Sequence, residues 1–311
     1  MGPQQFLLYT TPIGKILRTH DILFHFYADD IQLYTAFDPR DQASITSALS
    51  RMSLCIDEIR LWMTTNFLKF NEDKTEFFIA IAEHLKCHLP PVRLRVGDNF
   101  IPPADKVRNL GVVFDSAMCM KPHITSLCSG LNLQLRNITR IRKYLDHNTC
   151  HLVVRALVLS RLDYGNALLF GSTSSDLQRL QRIQNWAAKL IYRAQKRDHA
   201  TPYLQELHWL PIRERITFKI MLYIFKCLHG LAPSYLLSCL HLYHPARSSL
   251  RSASDTTRLS VPNTRRHLHT ASNRTFSYTA PKTWNALPKS VRKSDSISTF
   301  KKSLKTRLFM H

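Results

Sequence analysis

Hydrophobic and polar residues alternate in several short runs along the first 120 residues, and the longest run surrounds two adjacent aspartates. It reads Phe24-His25-Phe26-Tyr27 before the aspartates and Ile31-Gln32-Leu33-Tyr34 after them. Alternation with a period of two in aromatic and branched residues is typical of strands. The pattern therefore predicts a β-hairpin with Ala28-Asp29-Asp30 at its tip.

The residues after the hairpin show the periodicity of a helix. Asp38-Pro39-Arg40-Asp41 has the composition of a helix start. Apolar residues then recur over about five turns at a spacing of 3.6 residues: Ile45, Leu49, Met52, Ile56, Ile59 and Met63. This predicts a long amphipathic helix that packs on the sheet carrying the hairpin.

Two further stretches show strand patterns. After a turn at Asn71-Glu72-Asp73, alternating residues from Thr75 to Ile81 predict a strand. Residues 92–101 predict a second hairpin that turns at Gly97-Asp98-Asn99.

From Lys121 onward the pattern is helical. One helix face carries Ile124, Leu127, Leu131, Leu135, Ile138 and Ile141. A second helix is predicted over 148–164, with Val153, Ala156, Leu157 and Ser160 inward. Residues 176–193 form the best-patterned helix, with an apolar stripe at Leu177, Leu180, Ile183, Ala187, Leu190 and Ile191. Further helices are predicted at 212–228, ending at Gly230, and at 300–309.

The net charge of +21 is unevenly distributed. Residues 1–120 hold 12 Lys and Arg against 14 Asp and Glu, whereas residues 121–311 hold 31 against 8. Within the second part, residues 245–311 hold 14 against 2. A basic excess of this size favours a polyanionic partner, most often nucleic acid.

Composition also bears on the compartment. The seven cysteines form no Cys-x-x-Cys pair, and Met1–Gln5 lacks the features of a secretion signal. We therefore expect reduced thiols in an intracellular protein, nuclear or cytoplasmic, that is not secreted. The apolar run from Leu152 to Leu162 is interrupted by Arg155 and Arg161, so no membrane span is expected.

Two helix faces are candidates for nucleic-acid binding. Arg136, Arg140 and Lys143 follow helical spacing on the first. On the second, Arg179, Arg182, Trp186, Lys189 and Arg193 form a stripe of cations with one aromatic. A solvated basic face explains either stripe equally well, and the charge of the whole region favours phosphate contacts.

His147 and His151 lie four residues apart and would share a helix face, as zinc ligands often do. No third ligand lies nearby in the sequence. The preferred interpretation is that Asp146 caps a helix start at this point.

The two aspartates at the hairpin tip raise a chemical question, because adjacent carboxylates repel unless a cation or a turn accommodates them. Asp is common in turns for local reasons. Magnesium, in contrast, is often held by one or two carboxylates together with substrate phosphates. The remaining motifs favour the second interpretation.

Tyr27-Ala28-Asp29-Asp30 resembles the catalytic box of reverse transcriptases from non-LTR (LINE-type, jockey-like and chicken-repeat-like) retrotransposons. Further blocks resemble the same family in the same order. They are the substrate-block tail at Gly2–Gly14, the block from Trp62 to Glu76, the primer-grip core Leu110-Gly111-Val112-Val113-Phe114-Asp115, the block Ser160–Tyr164, the region 201–216, and the C-terminal stretches 280–288 and 300–309.

The resemblance implies an α+β fold. It also implies that the primer-grip core within residues 106–115 lies in a strand with Gly111 inside it, where a glycine marks a bulge or a close backbone approach. Residues 1–120 would form the C-terminal half of a reverse-transcriptase palm, with antiparallel hairpins and a long helix. Residues 121–172 would form a helical thumb. Residues 173–311 would form a basic, mostly helical C-terminal region with a sub-boundary near 245.

The resemblance also implies roles for individual residues. Asp29 and Asp30 would hold Mg²⁺, with Asp29 as the more direct ligand, and Lys74 would meet the leaving pyrophosphate. Tyr27, Ala28, Leu110 and Gly111 would contact the nucleotide or primer. The partners would be an RNA template and a DNA primer or target, with no small-molecule cofactor besides Mg²⁺.

In the family, DNA synthesis uses two magnesium ions, and part of their coordination comes from an aspartate in the first palm strand. By the resemblance, this chain would start inside the palm and would lack that strand and the fingers. Catalysis by the chain alone is therefore not expected, and whether it acts as an enzyme stays open. The alternatives are a non-catalytic nucleic-acid-binding remnant, or a degenerate fragment without a cellular role.

Overall fold

A computed structural model describes residues 2–243, 255, 257–262 and 275–309. These residues form a mixed α+β structure in which helices predominate and the strands occur in separate pairs. The chain divides into two compact units, Met1–Met118 and Cys119–His311. The second unit thus includes both the predicted thumb and the predicted C-terminal region. The sub-boundary predicted near residue 245 lies outside the described residues.

The first unit combines two long helices with short strand pairs. Its elements in chain order are α1 (Pro3–Thr19), β1 (Leu23–Tyr27), β2 (Asp30–Tyr34), α2 (Gln42–Thr65), a 3-10 turn (Glu72–Lys74), β3 (Phe77–Phe78), a 3-10 segment (Glu83–His88), β4 (Leu94–Val96), β5 (Asn99–Ile101), β6 (Pro103–Ala104), β7 (Lys106–Asn109) and β8 (Val112–Asp115).

The predicted hairpin around the two aspartates is confirmed. Strands β1 and β2 pair antiparallel, with Tyr27 opposite Asp30 and Phe24 opposite Leu33. The predicted long helix is also confirmed as α2, and its start at Gln42 is capped by the Asp41 carboxylate, which accepts a hydrogen bond from the Ala43 N–H.

One hydrophobic core joins α1, α2 and two hairpins. Its buried members are Ile13, Leu17, Ile22, Met52, Cys55, Ile56, Ile59, Leu94 and Val96. Half-buried Phe24, Phe26, Ile31 and Leu33 of the β1–β2 hairpin pack against it. The hairpin is therefore fixed by its inner face, whereas its tip projects into solvent.

Two strand predictions are corrected by the structure. The strand predicted at 75–81 is only Phe77–Phe78, because its parallel partner β6 is two residues long and begins at Pro103, which has no N–H to donate. The strand predicted at 106–115 is instead the hairpin β7–β8. Gly111 lies in its turn and not inside a strand.

That turn explains the error. Leu110 and Gly111 both have positive φ, 45° and 83°. Two central residues of this kind close a tight hairpin of the type that matches strand twist. The glycine therefore serves to reverse the chain.

The second unit is helical. Its elements are α3 (Lys121–Ile141), a 3-10 turn (Arg142–Tyr144), α4 (His147–Val154), a π-helical turn (Arg155–Leu159), α5 (Ser160–Asp163), a 3-10 turn (Asn166–Leu169), α6 (Ser174–Ile191), α7 (Thr201–Glu206), α8 (Ile212–Leu228), α9 (Ser234–Leu237), α10 (Phe276–Asn285), α11 (Lys289–Arg292) and α12 (Ile297–Phe309). The predicted limits of α8 are confirmed.

The predicted inward face of the helix over 148–164 is wrong. Ala156, Leu157 and Ser160 are exposed, whereas the buried residues are Cys150, Val154, Val158, Leu159 and Leu162. The cause is the π-helical turn at Arg155–Leu159, because its wider winding shifts the phase of every following side chain. On α3 the predicted face is buried at Ile124, Leu131, Leu135 and Ile138, but Ile141 at the helix end is exposed.

Helices α10 to α12 close over α8. Trp284 and Phe300 are fully buried, and the Phe300 ring stacks on Phe225 of α8 with centroids 4.4 Å apart. The Trp284 Nε1–H donates to the Thr257 carbonyl at 2.8 Å, which attaches the segment 257–262 to the same core.

A partly buried ion pair holds Asp255 in this region. Arg292 Nη2 lies 2.5 Å from Asp255 Oδ2, and Thr257 Oγ1 donates to Asp255 Oδ1 at 2.7 Å. Burial raises the pKa of Asp255, but the hydrogen bonds from Arg292 and Thr257 outweigh it and lower the pKa to about 2. The ionised form is therefore favoured by folding.

This pair predicts a specific acid sensitivity. Because the folded pKa of Asp255 lies below its unfolded value near 3.8, its stabilisation is present above that value and is lost as the pH falls towards 2. We expect the free energy of unfolding to fall by about 2 kcal/mol over this pH range. Urea titrations at each pH would measure this fall, which should be absent in Asp255→Asn. Exposed Asp295 supplies the control Asp295→Asn, which should titrate like the parent. Equal acid sensitivity in parent and Asp255→Asn would contradict the assignment.

Candidate functional site

The two aspartates lie at a strained tip. Ala28 and Asp29 form the two-residue turn between β1 and β2, and Ala28 has a φ of 56°. Glycine is the usual residue at such a position, so an alanine there stores backbone strain. Tyr27, Ala28, Asp29 and Asp30 are all exposed. The turn therefore presents both carboxylates to solvent.

The two carboxylates at the tip are the type of ligand that Mg²⁺ takes in proteins. Two carboxylate side chains with room for water and substrate phosphates are a common arrangement for Mg²⁺. Within the described ranges no group of three His, Cys, Asp or Glu side chains is placed to hold a metal. A two-metal centre at this tip would thus need a further carboxylate beside Asp29 and Asp30.

A side-chain hydrogen bond connects this hairpin to the β7–β8 hairpin, which contains the residues that resemble a primer grip. Gln32 of β2 donates from Nε2 to Asn109 Oδ1 at 2.6 Å. Asn109 immediately precedes Leu110 and Gly111, the predicted primer-binding residues, and Gln32 lies two positions after Asp30. The hydrogen bond therefore attaches the β7–β8 hairpin to the strand that begins at Asp30.

Helix α1 approaches the same hairpin from its inner side. A Cβ on Gly14 would lie 3.4 Å from the Phe24 ring and 3.6 Å from the Phe26 ring. The Arg18 guanidinium lies over the Phe24 ring, 5.4 Å from its centroid. The Gly2–Gly14 block is thus packed directly behind the strand that leads to the two aspartates.

Lys74 lies at the end of the 3-10 turn and is exposed. Asn71 caps this turn by accepting the Lys74 N–H at 3.3 Å. Glu72 holds the turn in place, since it pairs with Arg60 of α2 and accepts from Asn99 Nδ2 at 2.9 Å. These contacts run to α2 and β5, and none of the contacts within the described residues brings Lys74 to the hairpin tip.

The first predicted basic face is solvent-exposed. Arg136 and Arg140 lie on α3, and Lys143 lies in the 3-10 turn beyond it. The Lys143 ammonium group sits over the ring of its neighbour Tyr144, 4.7 Å from the centroid. All three cations thus remain accessible to an anionic ligand.

The second predicted face is partly engaged in internal contacts. Arg179 pairs with Asp176 at 3.4 Å, Lys189 donates to the Lys196 carbonyl at 2.9 Å, and Arg193 donates to the Leu145 carbonyl at 3.3 Å. Trp186 is half-buried, and Arg182 is exposed. Three of the four cations therefore have a structural role in addition to any contact with phosphate.

Arg142 is a buried structural side chain that the sequence patterns missed. It is buried, and its guanidinium donates to the carbonyls of Leu190 and Ile191 at 2.7 Å each and to that of Leu145 at 2.6 Å. Two of these are terminal carbonyls of α6, which lack helical partners. The only local signal is a basic residue next to a helix end, and nothing in the sequence shows that it caps a different helix.

Asp163 and Arg215 join two of the family-like blocks. Arg215 Nε donates to Asp163 Oδ1 at 2.8 Å, and its Nη2 donates to Oδ2. This two-point geometry fixes the end of α5 against the start of α8. The block Ser160–Tyr164 therefore has a structural role in this chain.

The histidine pair belongs to an aromatic cluster. His147 meets Tyr192 edge-on with centroids 5.0 Å apart, and His151 lies 6.0 Å from the Trp209 ring. Burial lowers the pKa of His151. The predicted cap is confirmed, because the Asp146 carboxylate accepts the Thr149 N–H at 2.6 Å.

Comparison with protein-family models, with curated proteins and with solved structures finds no match for this chain. Among the helices of the described ranges, none has the length and apolarity needed to cross a bilayer. The class that the structure establishes is therefore a mixed α+β protein, and its function must be argued from the arrangement of its residues.

Proposed function

We propose that this chain is part of a reverse transcriptase of the non-LTR retrotransposon class, with Asp29 and Asp30 as its metal-binding carboxylates. The observation that carries the proposal is the Gln32–Asn109 hydrogen bond. It brings together two hairpins that resemble two separate family motifs, although 77 residues separate the two side chains in sequence. The packing of Gly14 behind β1 adds a third such motif.

In this proposal each residue has a limited task. Mg²⁺, when bound, would activate the primer hydroxyl and stabilise the phosphates. Asp29 would ligate the metal directly from the turn, with Asp30 as its supporting neighbour. The exposed Leu110–Gly111 turn would hold the primer end, and Lys74 would neutralise charge on pyrophosphate.

The basic second unit would hold the nucleic acid. Residues 121–311 carry 31 Lys and Arg against 8 Asp and Glu. The corresponding partners are an RNA template and a DNA primer or target. Phosphate contacts from these cations would position the strands without reading their sequence.

Primer extension tests the proposed site. We expect the purified chain to synthesise no DNA on a primed RNA template with Mg²⁺, because two-metal catalysis needs more carboxylates than the tip supplies. The variants are Asp29→Asn and the control Asp98→Asn, an exposed aspartate in another hairpin turn. Template-dependent synthesis that Asp29→Asn abolishes and Asp98→Asn retains would show that the site is complete.

A second candidate is a nucleic-acid-binding protein without catalytic activity. The excess of positive charge in residues 121–311 and the exposed cations of α3 favour this second candidate. The two candidates differ at the hairpin tip, since only the polymerase proposal requires Asp29 to bind a metal ion.

A further inference from the structure

The C-terminal ends of α3 and α6 carry an unusual concentration of cations. Residues 136–146 and 189–199 contain eight Lys and Arg and only two acids, Asp146 and Asp198. Both acids accept backbone hydrogen bonds, from the N–H groups of Thr149 and Gln195. Since two acids cannot neutralise eight cations, both segments keep a net positive charge.

Hydrogen bonds hold these two segments against each other. Arg142 donates to the end of α6 at Leu190 and Ile191, and Arg193 reaches back to the Leu145 carbonyl. Lys189 in turn holds the Lys196 carbonyl. We call the exposed cations and the exposed tyrosine of these two segments the helix-end surface: Arg140, Lys143, Tyr144, Arg193, Lys196 and Arg197.

Helix capping explains only part of this surface. Cations near a helix C-terminus compensate the helix dipole and cap terminal carbonyls. Arg142 caps the end of α6, and the side chains of Lys189 and Arg193 donate hydrogen bonds to nearby backbone carbonyls. Arg140, Lys196 and Arg197 are exposed, and their side chains have no hydrogen-bond or ion-pair partner within the described residues.

Tyr144 is the second unexplained feature of the surface. Its side chain is 76% exposed although it is a large aromatic group. The Lys143 ammonium group lies over the ring at 4.7 Å, so the tyrosine and a cation form a unit. Capping needs no exposed aromatic ring, whereas a ring flanked by cations suits a ligand with both flat apolar faces and negative charges.

We propose that the helix-end surface binds single-stranded nucleic acid, with one base stacked on Tyr144 and the flanking phosphates against Arg140, Lys143, Lys196 and Arg197. Stacking requires a base whose face is accessible, which a single strand offers and the interior of a duplex does not. The inference rests on the proposed nucleic-acid binding of the second unit and assigns it a strand type and a contact residue.

The experiment compares a labelled oligothymidylate of about 20 nucleotides with a duplex of equal length by fluorescence anisotropy. Tyr144→Leu should weaken single-strand binding about 5- to 30-fold, in line with the loss of one base–aromatic stack. Duplex affinity should change less than about twofold. Tyr144→Phe keeps the ring and should bind as the parent does.

Tyr34→Leu is the matched control, because Tyr34 is also exposed and lies in the first unit. Equal losses for both ligands in Tyr144→Leu, or no loss for either, would overturn the stacking site. So would competition by polyglutamate as effective as competition by unlabelled single strand, since the surface would then select acidic chains in general. If the parent chain binds neither nucleic acid, the proposed nucleic-acid binding fails as well.

Discussion

Replacing Arg142 with methionine is expected to lower the free energy of unfolding of the second unit by about 3–5 kcal/mol. The guanidinium is buried and donates to three backbone carbonyls, those of Leu145, Leu190 and Ile191. A methionine fills similar volume but removes all three of these hydrogen bonds. The Leu145 and Leu190 carbonyls then keep the longer contacts from Arg193, at 3.3 Å and 3.4 Å. The loss should appear as a lower urea midpoint in far-UV circular dichroism.

Lys143→Met provides the matched control, since it removes the same charge one residue away from an exposed position. Its effect on stability should stay within about 0.5 kcal/mol, because Lys143 is exposed and its ammonium group lies over the ring of the neighbouring Tyr144. If Arg142→Met and Lys143→Met unfold at the same urea concentration, Arg142 does not hold the end of α6 as described.

Binding of single-stranded nucleic acid should weaken steeply with salt. If about six phosphates are neutralised, the logarithm of the affinity falls with a slope near −4 against the logarithm of salt concentration. The affinity should then drop about 300-fold between 50 and 200 mM salt. The cause is counterion release: the exposed cations of the second unit replace counterions condensed on the nucleic acid, and this release is less favourable at high salt.

The double variant Lys196→Gln, Arg197→Gln should reduce that slope by about 1 to 1.5. Lys86→Gln serves as its control, because Lys86 lies in the first unit and pairs with Glu83 at 2.8 Å. Affinity that stays constant across the salt range would remove the electrostatic basis for nucleic-acid binding by this chain.

Local sequence patterns were sufficient to predict the elements that are determined by residues close together in the sequence. The β1–β2 hairpin, helix α2 with its Asp41 cap and the limits of α8 follow from periodicity and from residues at the ends. Helix α1 was missed because its segment contains Pro12 and resembles a family motif, so no helix was assigned to it. Burial of Ile13 and Leu17 in the core stabilises it.

Contacts between distant residues account for the other errors and omissions. The π-helical turn at Arg155–Leu159 leaves no trace in hydrophobic spacing, yet it changes which residues of that helix are buried. Arg142 and the Asp163–Arg215 pair depend on partners about 50 residues away. Likewise, the attachment of the Leu110–Gly111 turn to the hairpin of the two aspartates is a property of the fold.

The assignment of Asp29 and Asp30 as metal ligands is tested most directly by replacing Mg²⁺ with Fe²⁺ in the presence of ascorbate and peroxide. Hydroxyl radicals formed at a bound Fe²⁺ cleave the nearby backbone, and mass spectrometry locates the cuts. We predict cleavage within residues 27–31 that excess Mg²⁺ suppresses, that Asp29→Asn abolishes and that Asp98→Asn leaves intact. Absence of cleavage at this tip, or the same cleavage in Asp29→Asn, would contradict the proposed polymerase site.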